Sequence, residues 1–312
     1  MNAGRLAAVD GVRHGSDVKR LAIIALICAG VFWGLGFPLG KLAMRETEAA
    51  HVITLRFLVA ALAALPFAVG SARVLFRSPT VVLGGVLYGL AFLIQFEGLG
   101  HVSVALAALP VGAMPAMIAV MARILGEPVT PLSWVGVAAA TGGAALIAGK
   151  PGEAGSPLGV ILSIAALLVF MAWLVVLRRA PKPPHAMAIP AVVVIVGAAT
   201  ILAADLVLHG PPPLNLSAGA WAGLAAQGVL STLLATAAWQ FGLSRVGSAT
   251  AGVFVNIEPL MGAALGVLMF GDRLTAPLIG GGMLILIGSF VVVRGERDAA
   301  PDTLADRPMT PA

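Results

Sequence analysis

Several polar side chains lie inside long apolar stretches of this sequence, where a charged or amide group needs a partner. Glu258 lies about ten residues into the apolar stretch 248–270, and a carboxylate at such a depth can bind a proton or an amine. Pro259 follows it and lacks a backbone N–H, so we expect a free carbonyl one helical turn earlier. The alternative interpretation is a structural acid that is hydrogen-bonded inside a helix bundle.

Two amides and two tryptophans are further candidates for lining a cavity. Gln227 lies deep in an apolar stretch, and Asn256 comes two residues before the acid. Either amide can instead make an ordinary hydrogen bond between helices, and for Asn256 that interpretation is favoured. Trp33 and Trp173 lie in the first apolar stretch of each half of the chain, where they could form an aromatic wall for an apolar solute.

The composition indicates that these side chains belong to a membrane protein. Of the 312 residues, 59% are hydrophobic and 11% are charged, whereas a soluble domain carries about 25% charged residues. The net charge of +5 resides in short loops between apolar stretches, which is typical of membrane topology rather than of nucleic-acid binding. We therefore expect a lipid bilayer as a partner and no nucleic acid.

The sequence carries no motif that would make it an enzyme. It contains no glycine-rich phosphate loop, no HExxH and no paired CxxC. Its five histidines are scattered over loops and the ends of apolar stretches, at His14, His51, His101, His185 and His209. We predict no catalytic residues, no metal site and no cofactor.

Ten stretches are long and apolar enough to cross a bilayer, which takes roughly 20 residues of helix. We therefore predict an all-α integral membrane protein with ten transmembrane helices. The spans are expected near 21–40, 51–70, 80–98, 102–124, 131–149, 157–178, 187–208, 219–241, 248–270 and 275–293.

The distribution of Lys and Arg predicts the orientation. With the N-terminus in the cytoplasm, fourteen of the 19 Lys and Arg residues lie on the inner side and only four on the outer side. We expect both termini in the cytoplasm of a bacterium, in its inner membrane. Residues 1–20 form a cytoplasmic segment and 295–312 a disordered tail in this interpretation. The four outer residues are Lys41, Arg45, Lys150 and Arg273.

The two halves of the chain repeat one another at an offset of 145 residues. Each repeat contains five predicted spans, an odd number, so the second copy enters the membrane from the opposite side. The sequence therefore predicts two inverted five-helix repeats, 21–149 and 157–294, of the kind that can rock around a central site. The matched pairs are Gln95-Phe96 with Gln240-Phe241, Gly126-Glu127 with Gly271-Asp272, Ser103 with Ser248, Gly136 with Gly281, and Gly143 with Gly288.

Glycines and prolines in the predicted spans set how the helices pack. Glycines four residues apart give a helix a flat face for close packing, and prolines introduce kinks or hinges. We expect the repeat-related acids Glu127 and Asp272 to cap helix ends. The glycine pairs are 30/34, 36/40, 85/89 and 262/266, and the prolines are Pro38, Pro110, Pro115 and Pro259.

A set of short motifs occurs along the chain in a fixed order: Trp33-Gly34, Arg56-Phe57, Gly126-Glu127, Gly136, Trp173, Glu258-Pro259, Gly271-Asp272-Arg273-Leu274 and Gly288. In the order and spacing of these motifs, the sequence resembles the drug/metabolite transporter superfamily in its ten-helix EamA-like branch. The resemblance covers about 20–295. The sequence departs from the family at Gly36, where members often carry Asn, and at Asp272 and Pro128, which replace the usual Glu and a common Arg.

Arg56 and Glu97 complete the candidate residues. They lie toward the outer ends of the second and third predicted spans, which are neighbours, so the two side chains could pair. A structural ion pair or an outer gate is favoured over direct contact with a solute.

The resemblance implies an inner-membrane secondary transporter that moves a small organic metabolite by alternating access, with export favoured. An amino acid, a related metabolite or a lipophilic compound is the expected solute, and protons are the coupling ion if Glu258 titrates. A passive facilitator or channel and a nucleotide-sugar or lipid-linked-sugar translocator are the alternatives. The sugar carriers are disfavoured because Arg56 is the only deep basic residue. The sequence does not determine the oligomeric state, for which a homodimer is one candidate.

Overall fold

The computed structural model describes residues 3–70, 72–126, 128–149, 155–246 and 254–299. Every regular element within these ranges is helical, which confirms the predicted all-α class. The helices are α1 (Ala3–Ala43), α2 (Ala49–Ala68), α3 (Ala72–Leu75), α4 (Pro79–Gly100), α5 (Val104–Ala108), α6 (Met114–Ile124), α7 (Pro131–Gly149), α8 (Pro157–Leu177), α9 (Ala188–Leu208), α10 (Ala218–Ala226), α11 (Ala235–Val246), α12 (Ile257–Phe270) and α13 (Ala276–Ala299).

Eight helical segments in the described part of the chain are long and apolar enough to cross a membrane. Two of the predicted spans contain shorter apolar helices instead, Pro131–Ile147 and Ile257–Phe270. The predicted stretch 248–270 begins partly outside the described residues. Large apolar side chains cover the outside of the bundle, as lipid requires, with Val207 83%, Leu268 80% and Val69 76% exposed.

Serines and glycines mark the helix ends. The hydroxyls of Ser103, Ser156 and Ser217 each accept a backbone N–H from the first turn of the helix that follows, which satisfies donors that have no partner inside the helix. Gly126 and Gly271 end α6 and α12 with φ of 84° and 66°, a left-handed conformation that favours glycine. These two glycines are mates in the sequence repeat.

Three of the predicted spans are interrupted. A 3₁₀ segment, Leu109–Ala113, separates α5 from α6, and Pro110 lies within it as the predicted kink. A π-helical segment, Gln227–Leu234, joins α10 to α11. Residues 255–256 form a turn directly before α12. By contrast, α1 continues through Pro38 without a break.

Glycines bring several helix pairs into backbone contact. A Cβ added to Gly136 would lie 2.4 Å from the carbonyl oxygen of Gly288, and one added to Gly143 would lie 2.4 Å from that of Gly281. Helices α7 and α13 therefore cross antiparallel, because the higher residue number on one helix meets the lower on the other. The pairs 30/34 and 262/266 also pack closely, Gly34 against Met261 of α12 and Gly262 against Ala108 of α5, as predicted.

Candidate functional site

Arg56 of α2 is buried in the interior of the bundle, with only 3% of its surface exposed. Its Nε donates to the hydroxyl of Thr232 at 3.1 Å. The guanidinium carbon lies 5.0 Å from the ring centre of Phe92 and 5.3 Å from that of Phe96, within range of cation–π attraction. The aromatic rings and Thr232 hold this cation in place.

Of the two roles considered for Arg56 and Glu97, the ion pair is not formed in this structure, and the outer gate stays a prediction. No salt bridge or hydrogen bond joins the two side chains, both of which the structure describes. Glu97 is half-buried on α4. The reason is the direction that Arg56 takes, since its guanidinium crosses toward Gly36 of α1 and the π-helical segment.

Glu258 is half-buried in the first turn of α12, directly after the turn at 255–256. Its backbone lies against α1, since a Cβ added to Gly34 would lie 2.9 Å from the Glu258 carbonyl oxygen, and no salt bridge joins Glu258 to Arg56. The carbonyl of Val255, expected to be left free by Pro259, accepts the N–H of Glu258 itself at 3.2 Å. That part of the prediction is wrong because the chain tightens into a turn just before the helix begins.

The π-helical segment carries three buried polar residues toward α1 and α2. Gln227 is fully buried and its Nε2 donates to the carbonyl of Gly36, while its Oε1 has no hydrogen-bond partner in the described structure. The hydroxyl of Thr232 donates to the carbonyl of Gln227 at 3.3 Å, five residues back, as the wider π turn allows. Gly228 lets this segment approach the backbone of Arg56, where an added Cβ would lie 2.8 Å from its carbonyl oxygen.

An aromatic cluster lies beside Arg56, formed by rings of α2, α4 and α8. The ring centres of Tyr88 and Trp173 are 5.0 Å apart, and those of Phe92 and Phe170 are 5.1 Å apart. The sequence singled out Trp173 but showed no aromatic stripe, because the rings come from three helices. Trp33 lies elsewhere, 5.4 Å from Trp239 of α11, so the two tryptophans belong to separate groups of rings.

Asn256 lies in the turn before α12. Its Oδ1 is buried and has no hydrogen-bond partner among the described residues. The packing hydrogen bond favoured for this amide is therefore not made through its oxygen. It joins Gln227 as a second buried amide with a free acceptor.

A buried acid on α9 was not among the candidate residues predicted from the sequence. Asp205 is fully buried, and its Oδ2 accepts from Thr54 at 2.7 Å and lies 2.9 Å from Nδ1 of His51. Nδ1 of His209 lies 3.4 Å from the other oxygen. Two histidines described as scattered thus meet at one carboxylate. An acid inside an apolar stretch indicates a functional or paired site by itself. Asp205 could therefore have been recognised from the sequence.

A second set of contacts joins helix ends near the α1–α2 loop. Lys41 donates to the carbonyls of Leu99 and Val102 at 2.7 and 2.9 Å. Asp272 accepts the N–H of Ala105 at 2.9 Å, which confirms the predicted cap for this acid. Its repeat mate Glu127 lies outside the described residues.

The α1–α2 loop is also tied to α10, and it borders an open pocket. Glu46 accepts the backbone N–H and the hydroxyl of Ser217 at 2.8 and 2.6 Å, and these hydrogen bonds lower the pKa of its carboxyl. The pocket has a volume of about 310 Å³ and contains none of the predicted site residues. It is lined by Lys41, Met44, Arg45, Thr47, Glu48, Ala49, Gly100 and Phe270.

The described residues contain no group of three or more His, Cys, Asp or Glu side chains placed to hold a metal ion. The interior site instead combines one cation, one acid, unpaired amide and hydroxyl oxygens, and aromatic rings. Such a set of groups can bind a small organic molecule that carries charge and an apolar part.

Comparison with known proteins identifies the family of this chain. The model of the EamA-like transporter family matches residues 20–149 and again 157–294. The chain belongs to the EamA-like transporter family. It is therefore a multi-pass membrane transporter of the drug/metabolite superfamily, a class that is not enzymatic.

The chain is also similar to one curated protein and to one solved structure. The chain is 31% identical over 67 residues to the permease-like protein YdzE of Bacillus subtilis (strain 168), across 22% of this chain and 86% of that protein. A crystal structure of another protein superposes with a TM-score of 0.60 at 20% identity, over 90% of this chain and 98% of the other. The second similarity concerns the fold alone.

Proposed function

We propose that this EamA-family protein is a secondary carrier that moves a small organic solute by alternating access between two inverted halves of five spans each. Three features support the inverted arrangement. The repeat-related glycines of α7 and α13 pack against one another, Gly136 on Gly288 and Gly143 on Gly281. The mates Gly126 and Gly271 end their helices with the same left-handed conformation. The family model also matches the chain twice.

The single observation that carries the proposal is the pair of opposite charges in the bundle interior. Both residues lie against α1, Arg56 through its guanidinium at Gly36 and Glu258 through its backbone at Gly34, and they form no salt bridge with each other. Burying two charges without direct partners costs desolvation free energy, unless other groups neutralise them. A solute with an acidic group and an amine would pair with Arg56 and Glu258 respectively. Its apolar part would pack on Tyr88, Phe92 and Trp173.

This arrangement favours an amino acid or a related metabolite among the solutes considered. Gln227 and Asn256 add free amide oxygens that can accept from an ammonium group. A phosphorylated sugar would need several deep cations, and Arg56 is the buried one among the described residues.

Glu258 is the proposed coupling group. It lies where one predicted span is interrupted, in the first turn of α12, and helix ends of this kind form solute and ion sites in carriers built from repeats. A proton on Glu258 would alternate with the ammonium of the solute. Solute and proton would then move in opposite directions, which fits export with both termini in the cytoplasm of a bacterial inner membrane.

Counterflow in proteoliposomes tests the carrier mechanism. Vesicles loaded with unlabelled L-phenylalanine, L-leucine or L-lysine are diluted into a trace of the labelled amino acid, and uptake is followed against protein-free vesicles. We expect transient accumulation of label above equilibrium for at least one of them. The reason is that a carrier that takes unlabelled solute out of the vesicle returns with labelled solute bound. Uptake that never exceeds equilibrium, or that unlabelled solute does not stimulate, would indicate a passive channel instead.

A further inference from the structure

Arg56 has hydrogen-bonding capacity that the protein does not use. A guanidinium has five N–H donors, and the described structure engages only Nε, through Thr232. No acid among the described residues forms a salt bridge with the two terminal nitrogens. The neighbouring aromatic rings attract this 97% buried cation but accept none of its remaining N–H groups in conventional hydrogen bonds, so its hydrogen-bonding capacity is left incomplete.

Ser231 is a second unused donor in the same place. It is 1% exposed, and its hydroxyl has no hydrogen-bond partner within the described protein. It precedes Thr232, the residue that holds Arg56, in the π-helical segment. The Gly36 position lies next to both groups, since a Cβ built there would lie 3.6 Å from Nη1 of Arg56 and 3.7 Å from the Ser231 hydroxyl.

Gly36 differs from the other glycines of α1. A Cβ at Gly30, Gly34 or Gly40 would lie 2.5–2.7 Å from a neighbouring atom, so close packing requires glycine there. At Gly36 the nearest atom would be 3.5 Å away, which is ordinary van der Waals contact. The predicted close packing of the 36/40 pair therefore holds for Gly40 only.

Packing thus does not explain why residue 36 is glycine, although glycine is less favourable than alanine inside a helix. Because residue 36 has no side chain, the donors of Arg56 and Ser231 are uncovered on the side that faces α1. A methyl group at this position would fit the fold and stand over both donors.

We propose that Arg56, Ser231 and the uncovered backbone at Gly36 form a subsite for the carboxylate group of the transported solute. The terminal guanidinium nitrogens donate to the two carboxylate oxygens, a geometry that Arg forms readily, and the Ser231 hydroxyl donates a third hydrogen bond. Gly36 determines specificity by leaving room for those oxygens. This inference rests on the proposed carrier function and specifies which end of the solute binds where.

The charge balance favours a carboxylate over a phosphate. Glu258 lies against α1, as Arg56 does, and the free Oε1 of Gln227 is a further acceptor nearby. A dianion would meet one cation together with these acceptors, which is unfavourable in a buried site. A monoanion with an adjacent ammonium group satisfies both sets of groups.

Binding to the purified full-length protein tests the subsite. The probes are L-phenylalanine and 3-phenylpropionate, each compared with its carboxamide, and thermal shift and calorimetry report affinity. The variants are Ser231→Ala, Gly36→Ala and Arg56→Lys. The controls are Ser163→Ala, which removes a buried hydroxyl already bonded to the Gly159 carbonyl, and Gly223→Ala, where an added Cβ meets nothing within 4 Å.

We expect the wild type to bind each carboxylate more tightly than its amide. Ser231→Ala should weaken carboxylate binding about tenfold, as expected when one hydrogen bond to a charged group is lost. The same change should leave the melting temperature of the ligand-free protein equal or higher, because it removes an unpaired buried hydroxyl. A merely structural serine would lower that temperature and leave the carboxylate preference intact.

Gly36→Ala should fold normally and lose carboxylate affinity while amide affinity is retained. Arg56→Lys should lose the preference for carboxylates because an ammonium lacks the planar fork. Both control variants should bind as the wild type does. The proposal is overturned if the wild type binds amides as well as carboxylates, or if Ser231→Ala and Gly36→Ala both keep the wild-type preference.

The subsite and the carrier function can fail separately. If the protein shows counterflow but Ser231→Ala and Gly36→Ala keep the wild-type preference for carboxylates, the carrier function is retained and the subsite is rejected. Selective carboxylate binding by a protein without counterflow would retain the subsite and remove alternating-access transport.

Discussion

The stretches 104–124 and 254–270 correspond in the sequence repeat and are interrupted at corresponding places, yet they carry different side chains. In the first, the 3₁₀ segment Leu109–Ala113 is buried and entirely apolar. In the second, the turn before α12 presents Asn256 and Glu258. At the offset of 145 residues, the position of Glu258 corresponds to Ala113.

The backbone groups released at the two interruptions are also satisfied differently. The carbonyl of Gly112 in the first stretch accepts from the hydroxyl of Ser289 on α13. In the second, the carbonyl of Val255 accepts from the N–H of Glu258. The two copies therefore share a backbone break, whereas only the break of the second copy carries an amide and an acid, Asn256 and Glu258.

Replacing Glu258 should have the largest effect on transport. We expect Glu258→Gln to abolish pH-driven flux in proteoliposomes, because a neutral amide of the same shape cannot take up and release a proton. Ala113→Ser, a small polar change at the corresponding position of the first copy, is the control and should leave that flux in place. Unchanged pH-dependent flux in Glu258→Gln would remove the proposed proton role and the difference between the two copies.

Replacing repeat-related glycines at the α7–α13 contact should lower stability by similar amounts in the two copies. Gly143→Ala and Gly288→Ala, at repeat-related positions, each force a Cβ into facing backbone at 2.4–2.5 Å. We expect each to destabilise the protein by about 1–3 kcal/mol, as overpacking does, measured by thermal unfolding in detergent.

Gly142→Ala is the matched control for the glycine pair, since an added Cβ there meets nothing within 4 Å. It should leave stability equal or slightly raised, because alanine favours a helix. A large loss at only one of Gly143 and Gly288 would contradict the idea of an equally shared scaffold.

Asp272 offers the smallest of these effects and links the two copies directly. Its carboxylate caps the N-terminus of α5, which belongs to the interrupted stretch of the first half. Asp272→Ala should cost about 1 kcal/mol of stability, as the loss of a cap does. Asp272→Asn keeps an oxygen that can accept the Ala105 N–H, so it should cost less in the same unfolding assay. Equal losses in both variants would show that charge rather than capping matters at this position.

The sequence predicted much of the fold because membrane helices follow from local composition. Apolar length, bounded by serine, proline or glycine, gave helices close to the expected positions. The Gly30/Gly34 and Gly262/Gly266 pairs predicted close packing because a missing side chain has the same consequence against any neighbour. The offset of 145 residues needed no structure at all.

The candidate site was only partly predictable from sequence. Arg56, Gln227 and Glu258 were recognisable because polar groups are costly within apolar helices. Their neighbours were not, since Ser231 and Thr232 gain meaning only once the π-helical segment places them beside Arg56. The aromatic cluster and the meeting of His51 with Asp205 likewise join helices far apart in the chain.

The sequence alone thus determined the membrane class, the helical segments, the family and the repeat, all of which depend on local composition or on order along the chain. Only the tertiary structure decided that Arg56 contacts Thr232 rather than Glu97, and that Glu258 begins a helix rather than lying inside one. It alone separated the glycine at position 36 from those at 30, 34 and 40. The physical reason is that partner choice and free space depend on distances between helices, which residue types and spacing do not specify.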